Sequence, residues 1–249
     1  SGVPVEGSCG VAGNWDPEGV AGDGDWIYLD HGAASAYTIQ LDQTRVLDIS
    51  GGDAGFEVRD DDVILDLNSY DLTLNASDYN ANILLGAVAG ANSNLEIIGG
   101  GTLTGNNMRM GEASGATLTV KGQGTVFDAG SGGAQLADRM YVGHSATSHV
   151  RVEDGGKALL NNAMLAYAGA GAAGSSLLVT GSDINGTGSE LALSGNTYIR
   201  RAAAYITVEQ GGRITGTGSM TFERGSSIFK VDTGGTASTG YIDFGKWTN

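Results

Sequence analysis

The sequence has little of the chemistry that stabilises or activates many small proteins. Its 249 residues include one cysteine, two prolines and three histidines, so an internal disulfide framework and a thiolate metal cluster are excluded. Thirteen basic residues stand against 28 acidic ones, a net charge of −15. Nucleic acid is a poor partner for such a chain, because polyphosphate requires a basic surface. No run of about 18 apolar residues occurs, so we expect no membrane-spanning helix.

Glycine, in contrast, is abundant. The chain contains 43 glycines, well above the usual share of roughly 7%. Proline is rare and a Gly-X-Y period is absent, which excludes collagen. Apolar residues make up 41% of the chain, enough to form a core. This acidic composition, poor in lysine and rich in Gly, Asn, Thr and Ser, is common in secreted bacterial proteins, so we expect a secreted or cell-surface location.

The charge is distributed unevenly along the chain. Residues 1–80 hold 16 acidic and two basic residues, a balance of −14. Residues 200–249 hold six basic and four acidic residues, a balance of +2. If the molecule is elongated, it is electrically polar along its length.

An irregular internal repeat runs through the middle of the chain. Each copy has an apolar-x-apolar triplet, usually followed by glycine, then a small-residue turn, a second triplet and a Gly-rich turn. The first triplets are residues 83–85, 108–110, 140–142, 163–165 and 197–199, and the second triplets are residues 95–97, 118–120, 150–152, 177–179 and 206–208. The position after the first triplet, Gly86 in the first copy and Arg200 in the last, recurs at intervals of 25, 32, 23 and 34 residues.

The triplets alternate with a period of two residues, which indicates strands with one buried face. Strands this short cannot bury their apolar face alone, so each must stack on the equivalent strand of the next copy. Glycines at the corners can adopt positive φ, and the rarity of proline leaves backbone N–H groups free to form hydrogen bonds between neighbouring strands. We therefore predict an all-β fold, a single-stranded parallel β-solenoid (β-helix) of roughly 8–11 irregular coils with an N-terminal cap.

An antiparallel sandwich of short strands is the alternative, because its strands have a similar spacing. The recurring corner glycine favours stacked coils instead. So does the pattern apolar-x-Val-Glu-x-Gly-Gly, which occurs at residues 150–156 and again at 206–212.

These copies resemble the extracellular repeats of bacterial autotransporter passengers and of envelope-anchored surface proteins. The resemblance covers about residues 10–215, and it includes the Asn-Trp…Pro…Asp start formed by residues 13–17 and 23–27. It implies a parallel β-helix on the cell surface with an adhesive or scaffold role. The interrupted periods and Arg200 at a glycine position depart from the family pattern.

We divide the chain into an N-terminal extension and cap, residues 1–30, and a β-solenoid, residues 31–249. Within the solenoid we expect acidic first coils at 31–80, Gly-punctuated repeats at 81–215 and C-terminal strands at 216–249. The last strand, around residues 241–247, has no obvious polar cap. It either continues in a longer chain or docks on a partner.

Two acidic runs are candidate metal sites. Asp60, Asp61 and Asp62 form one, and Asp23 and Asp25 lie in the other. Ca²⁺ takes several carboxylate oxygens, so these five residues are candidate Ca²⁺ ligands, with solvated turns as the alternative. We expect no other cofactor.

The ends of a solenoid expose unpaired strand edges, which must be covered or paired. Large or reactive side chains near the ends are therefore candidates for end-to-end contacts: Cys9, Trp15, Trp26, Tyr241, Phe244 and Trp247. The two tryptophans near the N-terminus are candidates to plug that end of the core. The single cysteine is either a free thiol or the site of an intermolecular disulfide.

Parallel β-helices also include polysaccharide lyases and glycoside hydrolases, and hydrolysis needs two carboxylates in a cleft. Glu153, Asp154 and Glu209 recur at equivalent coil positions, although equivalent turns also produce a plain acidic row. Four tyrosines that we expect outside the apolar core could stack on sugars or simply form an outward ladder: Tyr141, Tyr167, Tyr198 and Tyr205.

We predict a non-enzymatic extracellular structural protein, a rod in a surface fibre, matrix or adhesin, and assign no catalytic residues. Its partners would be further copies joined head to tail or other cell-surface components. The alternative is a carbohydrate-binding or carbohydrate-degrading β-helix.

Overall fold

The computed structural model describes residues 6–8, 23–30, 36–49, 55–75, 83–90, 92–105, 108–130, 139–168, 170–223 and 226–244. Within these ranges the regular structure consists of 26 β-strands and one short 3₁₀ turn, Ala170–Ala172. None of the described residues belongs to a helix of the length and hydropathy needed to cross a membrane.

The strands form three sheets. Sheet 1 contains nine strands: β1 (Glu6–Ser8), β3 (Ala36–Gln40), β6 (Asp62–Asp66), β9 (Ser93–Ile98), β12 (Ala116–Lys121), β15 (Ser148–Glu153), β18 (Ser175–Thr180), β21 (Ala204–Glu209) and β24 (Ile228–Val231). Sheet 2 contains eight: β4 (Arg45–Asp48), β7 (Leu72–Asn75), β10 (Gly101–Gly105), β13 (Thr125–Ala129), β16 (Lys157–Leu160), β19 (Glu190–Leu193), β22 (Arg213–Gly216) and β25 (Thr236–Ala237). Sheet 3 contains nine: β2 (Trp26–Leu29), β5 (Gly55–Val58), β8 (Ile83–Leu85), β11 (Met108–Met110), β14 (Arg139–Val142), β17 (Asn162–Leu165), β20 (Thr197–Ile199), β23 (Ser219–Phe222) and β26 (Tyr241–Phe244).

The path of the chain is that of a β-solenoid. From β3 to β26 the chain visits sheets 1, 2 and 3 in turn, eight times. Paired strands are three places apart along the chain, except for β1 and β3, which are two places apart. Every pairing between described strands is parallel, and the one antiparallel contact in these ranges is the isolated bridge between Ser182 and Gly188. The predicted fold class is confirmed, and the antiparallel sandwich is wrong. The eight turns lie at the lower limit of the expected number of coils.

The repeat aligned from the sequence matches the register of the sheets. The first triplets are strands of sheet 3 and the second triplets are strands of sheet 1. In sheet 1 the leading residues of the second triplets pair in one continuous row: Leu95, Leu118, Val150, Leu177 and Ile206. Each of these side chains is at most 1% exposed. A fully buried Leu, Ile or Val contributes about 1.5–3 kcal/mol, so such rows supply much of the stability of the stack.

Glycine at the corner after a sheet 3 strand has a specific cause. Gly86 has φ +70°, and a Cβ there would lie only 2.6 Å from the backbone oxygen of Ser114 in the next turn. Gly111, Gly143 and Ala166 share the positive φ, but Arg200 does not. The chain therefore leaves β20 by a different backbone path, which explains the departure of that copy from the family pattern.

The turn that leads from sheet 1 to sheet 2 also repeats. Gly156 donates a backbone hydrogen bond to the Glu153 carbonyl at 2.9 Å, and Gly212 donates to Glu209 at 2.8 Å. In the first turn Asp154 and Gly155 both have positive φ, and the second turn has the same conformation. The shared sequence pattern at 150–156 and 206–212 thus encodes one turn geometry.

On the outer face of sheet 2, Glu190 ties three layers together. Its carboxylate lies 3.3 Å from Lys157 Nζ in the layer before and 3.1 Å from Arg213 Nη2 in the layer after. It also accepts a hydrogen bond of 2.5 Å from the Thr215 hydroxyl. Partial burial acts against the charged form, but these three partners outweigh it and hold the pKa of Glu190 below its usual range.

The described parts of residues 1–30 belong to the stack itself. Strand β1 pairs in parallel with β3, and β2 pairs in parallel with β5. They are the first strands of sheets 1 and 3, whereas sheet 2 begins at β4. The remainder of the expected cap lies outside the described residues.

Candidate functional site

The last layer of the solenoid, formed by β24, β25 and β26, exposes apolar side chains, and we call it the open end. Val231 is 45% exposed and Phe244 is 60% exposed. Their partners one layer earlier, Val208 and Phe222, are 0% and 2% exposed. No described strand lies beyond this layer. The open end therefore combines apolar surface with strand edges that no described strand pairs.

The charged residues of the open end largely neutralise one another. Lys230 on β24 forms an ion pair with Asp232, the residue that follows this strand. The hydrogen bond between them raises the pKa of Lys230 and lowers the pKa of Asp232. Both groups are fully exposed, so the pair adds little stability.

The opposite end of the stack is more covered. Its edge strands are β1, β2 and β4. Ile27 and Leu29, the inward-facing residues of β2, are only 6% and 3% exposed, whereas Val46 on β4 is 59% exposed. The two ends therefore differ: among the described residues, the edge strands at the N-terminal end carry two exposed large apolar side chains, Tyr28 and Val46, and those at the C-terminal end carry four.

Three of the residues predicted for end-to-end contacts can be placed. Tyr241 and Phe244 belong to β26 at the open end. Trp26 lies on the outer face of sheet 3, over Gly55, where a Cβ would come within 2.5 Å of its ring. Its ring stacks on that of Tyr28 at 5.6 Å, so the expectation that Trp26 plugs the core is wrong. The other three candidates lie outside the described residues: Cys9, Trp15 and Trp247.

The three consecutive aspartates predicted as Ca²⁺ ligands occupy different environments. Asp60 is half-buried, Asp61 is fully buried and Asp62 is exposed on the outer face of sheet 1. Asp61 lies close to Tyr37, and burial of the Tyr37 hydroxyl, followed by the negative charge of Asp61, raises the pKa of that tyrosine. Asp62 accepts a hydrogen bond from the side-chain amide of Asn94.

Asp23 and Asp25 make local structural contacts at the N-terminal end. The Asp23 carboxylate accepts the backbone N–H of Asp48 at 2.8 Å. The Asp25 carbonyl accepts the N–H of Gly55 at 3.1 Å. Across the described ranges no three His, Cys, Asp or Glu side chains are grouped so that they could hold a metal ion. Ca²⁺ binding at these five aspartates therefore stays a prediction without a preformed cluster.

A continuous outward row runs along sheet 3. It consists of one residue from each strand, and neighbours in the row are paired: Tyr28, Glu57, Leu84, Arg109, Tyr141, Met164, Tyr198, Thr221 and Asp243. Three of the nine are tyrosines. Of the four candidate tyrosines, Tyr141 and Tyr198 belong to this row and Tyr167 follows β17. Tyr205 lies on the outer face of sheet 1 instead.

An aromatic cluster forms around the middle of this row, and we define it as Tyr141, His144, Met164, Tyr167 and Tyr198. The Tyr141 ring meets the Tyr167 ring edge-on at 4.9 Å, and the His144 ring lies 5.4 Å from Tyr167. Edge-on aromatic pairs contribute about 0.5–1.5 kcal/mol beyond their burial. Met164 is only 6% exposed although it faces outward, so this part of the face is closely packed.

The surroundings of His144 in this cluster favour its neutral form. Burial lowers the pKa of His144. The nearby Glu112 carboxylate acts to raise this pKa, and the positive charge of Arg109 acts to lower it. His149 lies on sheet 1, where its Nδ1 is 2.9 Å from the Ser176 hydroxyl. The structure therefore does not bring the two histidines together as a pair.

Arginines line the aromatic cluster. Arg109 pairs with Glu112 at 2.9 Å. Arg200 pairs with Glu223 at 3.3 Å, and its guanidinium lies 5.4 Å from the centre of the Tyr198 ring. Arg201 is exposed, and its guanidinium lies 5.9 Å from the centre of the Tyr167 ring.

Arg201 differs from every other described cation. The structure describes ten lysine and arginine side chains. Nine of them form an ion pair with a described carboxylate, and Arg201 is the one that does not. In a chain with 28 acidic and 13 basic residues, an exposed cation that lacks a described acidic partner is unusual.

The N-terminal part of the same face has a different character. Arg59 lies 4.1 Å from the centre of the Tyr28 ring and pairs with Glu57 at 3.0 Å and with Asp30 at 3.5 Å. Glu57 is only 5% exposed. Although burial acts against it, the contact with Glu57 raises the pKa of Arg59, so this cation is already neutralised.

The candidate carboxylates Glu153, Asp154 and Glu209 form a surface row at the edge of sheet 1. Glu153 accepts a hydrogen bond of 2.6 Å from Arg151, and Asp154 lies 3.8 Å from Lys121 Nζ. Glu209 is two layers from Glu153 along sheet 1, about 10 Å at the usual strand spacing. Equivalent turn positions account for this row.

Sequence reasoning missed the part played by Arg201 and Met164. A signal was available, because the middle residues of the aligned first triplets form the sheet 3 row. Reading that row in order places Tyr141, Met164 and Tyr198 side by side. The proximity of Arg201 to Tyr167 has no such signal, since both lie in loops.

The parallel pairing of three sheets defines the class of this protein as a β-solenoid repeat protein. Comparison with family models, curated proteins and solved structures found no match. The resemblance to bacterial surface repeats therefore stays a prediction, and the case for a function comes from the residues of this chain.

Proposed function

We propose that this protein is a non-enzymatic structural rod that joins further copies of itself head to tail. In this role it would be part of a fibre, matrix or adhesin outside the cell. The open end supports the proposal, since Val231 and Phe244 are exposed where the equivalent residues of the preceding layer are buried. Large exposed apolar surface on a soluble protein marks an interaction site.

Strand geometry favours a second β-solenoid layer as the occupant of the open end. The edges of β24, β25 and β26 are ready to pair with another strand, the general route of β-strand addition. A head-to-tail joint continues the parallel ladders of the stack, whereas two open ends facing each other would require antiparallel pairing. A contact between unlike ends is heterologous, so it produces open filaments rather than a closed dimer.

The charge balance also favours unlike ends. The first 80 residues carry −14 and the last 50 carry +2. Two N-terminal regions repel each other strongly, whereas an N-terminal region attracts the weakly basic C-terminal region. This attraction is screened by salt, but the apolar contact is not. Burying one large apolar side chain contributes about 1.5–3 kcal/mol, so the joint should persist at high salt and form more slowly there.

The experiment is sedimentation velocity over a wide range of protein concentrations, with and without Ca²⁺ and at low and high salt, combined with negative-stain electron microscopy. We expect the average mass to rise continuously with concentration and the micrographs to show rods joined end to end. A strict monomer at high concentration in all conditions would overturn the proposal. A species that stops at a dimer would overturn the head-to-tail arrangement.

Two matched variants locate the joint. Val231→Lys introduces a charge into the open end, and Val88→Lys introduces the same charge at a mid-chain position of equal exposure, 46% against 45%. We expect Val231→Lys to remain monomeric and Val88→Lys to assemble like the parent chain. Equal behaviour of the two variants would show that the contact lies elsewhere.

A further inference from the structure

We propose that the aromatic cluster of sheet 3, together with Arg201, is a binding site for an acidic polysaccharide whose sugars carry carboxylates. The site lies on the outer face of sheet 3, and Tyr198, its row member nearest the open end, is two layers from β26. It is independent of head-to-tail assembly, so either proposal can fail without the other.

The aromatic side chains supply one half of the recognition. One face of a pyranose ring presents C–H groups, which pack against an aromatic ring by dispersion, while tyrosine hydroxyls can bond the sugar hydroxyls. Tyr141, Tyr167 and Tyr198 are partly exposed on one face. Tyr141 and Tyr167 pack edge-on, and the buried Met164 lies between Tyr141 and Tyr198 in the row, so little side-chain entropy is lost on binding.

Arg201 supplies the other half. Its guanidinium is exposed beside the Tyr167 ring, and no described carboxylate neutralises it. A planar guanidinium binds a carboxylate through two parallel hydrogen bonds. Arg109 and Arg200 are already paired with Glu112 and Glu223. One anionic group of a ligand is therefore expected at Arg201, with the sugar ring next to it on Tyr167.

The shape of the site favours a polymer. Tyr141 and Tyr198 lie two strands apart in sheet 3, about 10 Å at the usual strand spacing. The row continues to Tyr28 four strands before Tyr141, about 19 Å further. An extended chain can contact several points of such a face at once, and the contacts reinforce one another.

The test measures binding of the purified chain to immobilised polysaccharides by biolayer interferometry. The acidic probes are polygalacturonate, alginate and hyaluronate. Fully methyl-esterified polygalacturonate has the same sugars and linkages without the charge, and poly-L-glutamate has the charge without the sugars. We expect at least one acidic polysaccharide to bind, the methyl ester to bind about tenfold more weakly than its acid if polygalacturonate is the ligand, and poly-L-glutamate not to bind.

Three variants assign the binding to this face. Arg201→Gln should weaken binding of the acidic polysaccharide about tenfold while leaving the esterified probe unchanged. Tyr167→Ala should weaken both probes about tenfold. Tyr205→Ala removes a tyrosine that is 41% exposed on sheet 1 and should have no effect. Circular dichroism of each variant verifies that the β-sheet signal is intact.

The proposal is overturned if none of the three acidic polysaccharides binds, or if poly-L-glutamate binds as well as they do. It is also overturned if Arg201→Gln binds like the parent chain, or if Tyr205→Ala costs as much affinity as Tyr167→Ala. Loss of binding in Arg201→Gln alone, with Tyr167→Ala unaffected, would show a simple charge contact and would likewise refute the site.

Discussion

Two adjacent leucines in β18 provide the sharpest test of the stack. Leu177 faces the core at 1% exposure, between Val150 in the strand before and Ile206 in the strand after. Leu178 is the next residue and faces outward, half-buried. Because side chains alternate across a strand, the same substitution at these two positions probes opposite faces of one sheet.

Leu177→Ala should destabilise the protein by about 3–4 kcal/mol, because it removes a fully buried side chain and leaves a cavity between two layers that cannot close fully. Leu178→Ala should cost about 1 kcal/mol or less, since its side chain is only partly withdrawn from water. Leu177→Met conserves the volume and should cost less than about 1.5 kcal/mol. The order of the three variants depends on the register, not on the residue type.

Urea unfolding followed by circular dichroism gives the change in unfolding free energy for each of the three variants. Hydrogen exchange locates the loss of stability within the structure. For Leu177→Ala we expect reduced protection of the backbone amides in β15 and β21, the two flanking strands. If Leu178→Ala proved as costly as Leu177→Ala, the strand would face the other way. The parallel stack of apolar rows would then be refuted.

Two further predictions concern the outer face and the corners of the coil. Glu190→Gln should lose about 1 kcal/mol at pH 7, a value reduced because Lys157 and Arg213 are solvent-exposed. The folded-state pKa of Glu190 is lowered, so the parent chain holds this advantage above the unfolded-state pKa and loses it as the pH falls through the folded-state pKa. The difference in unfolding free energy between the parent chain and Glu190→Gln should therefore shrink as the pH is lowered from 7 into the acidic range. A difference that is independent of pH would contradict the ion-pair account. Gly86→Ala should be more destabilising than Gly122→Ala in thermal unfolding, because both have positive φ but only Gly86 would bring a Cβ within 2.6 Å of backbone, against 3.9 Å from a hydroxyl at Gly122. Gly122→Ala should cost about 1 kcal/mol from backbone strain alone, and equal losses would mean that the close approach at Gly86 is relieved by movement.

Local patterns in the sequence were sufficient for the ten strands of sheets 1 and 3 that contain the repeated triplets. An apolar-x-apolar triplet specifies a strand and its buried face through the two-residue period, and the corner glycine marks where it ends. Sheet 2 was harder to find, because its later strands lack the pattern. Strand β22 ends in Gly216, and β25 contains only Thr236 and Ala237. Such strands form because the chain must close each coil, not because their own residues favour it.

The candidate sites were only partly accessible from the sequence. Tyr241 and Phe244 were singled out by their position, and the structure places them at the open end. Trp26 was misjudged, because the side chains of β2 alternate: Ile27 and Leu29 face the core, so Trp26 faces outward, where its ring lies over Gly55. The three aspartates 60–62 are adjacent in sequence, but only Asp62 belongs to β6, and the bend before this strand places Asp60 and Asp61 in two other environments.

The sequence by itself determined that this chain is a stack of short strands, since period-two hydrophobicity and corner glycines act between residues close in the chain. The tertiary structure decided which outward-facing residues became neighbours. Tyr141 and Tyr167 lie one coil apart, as do Tyr167 and Arg201, and loops of unequal length set which residues of successive coils meet. Burial at the two ends was decided in the same way, because the exposure of Val231 and Phe244 depends on what lies beyond the last layer and not on those residues themselves.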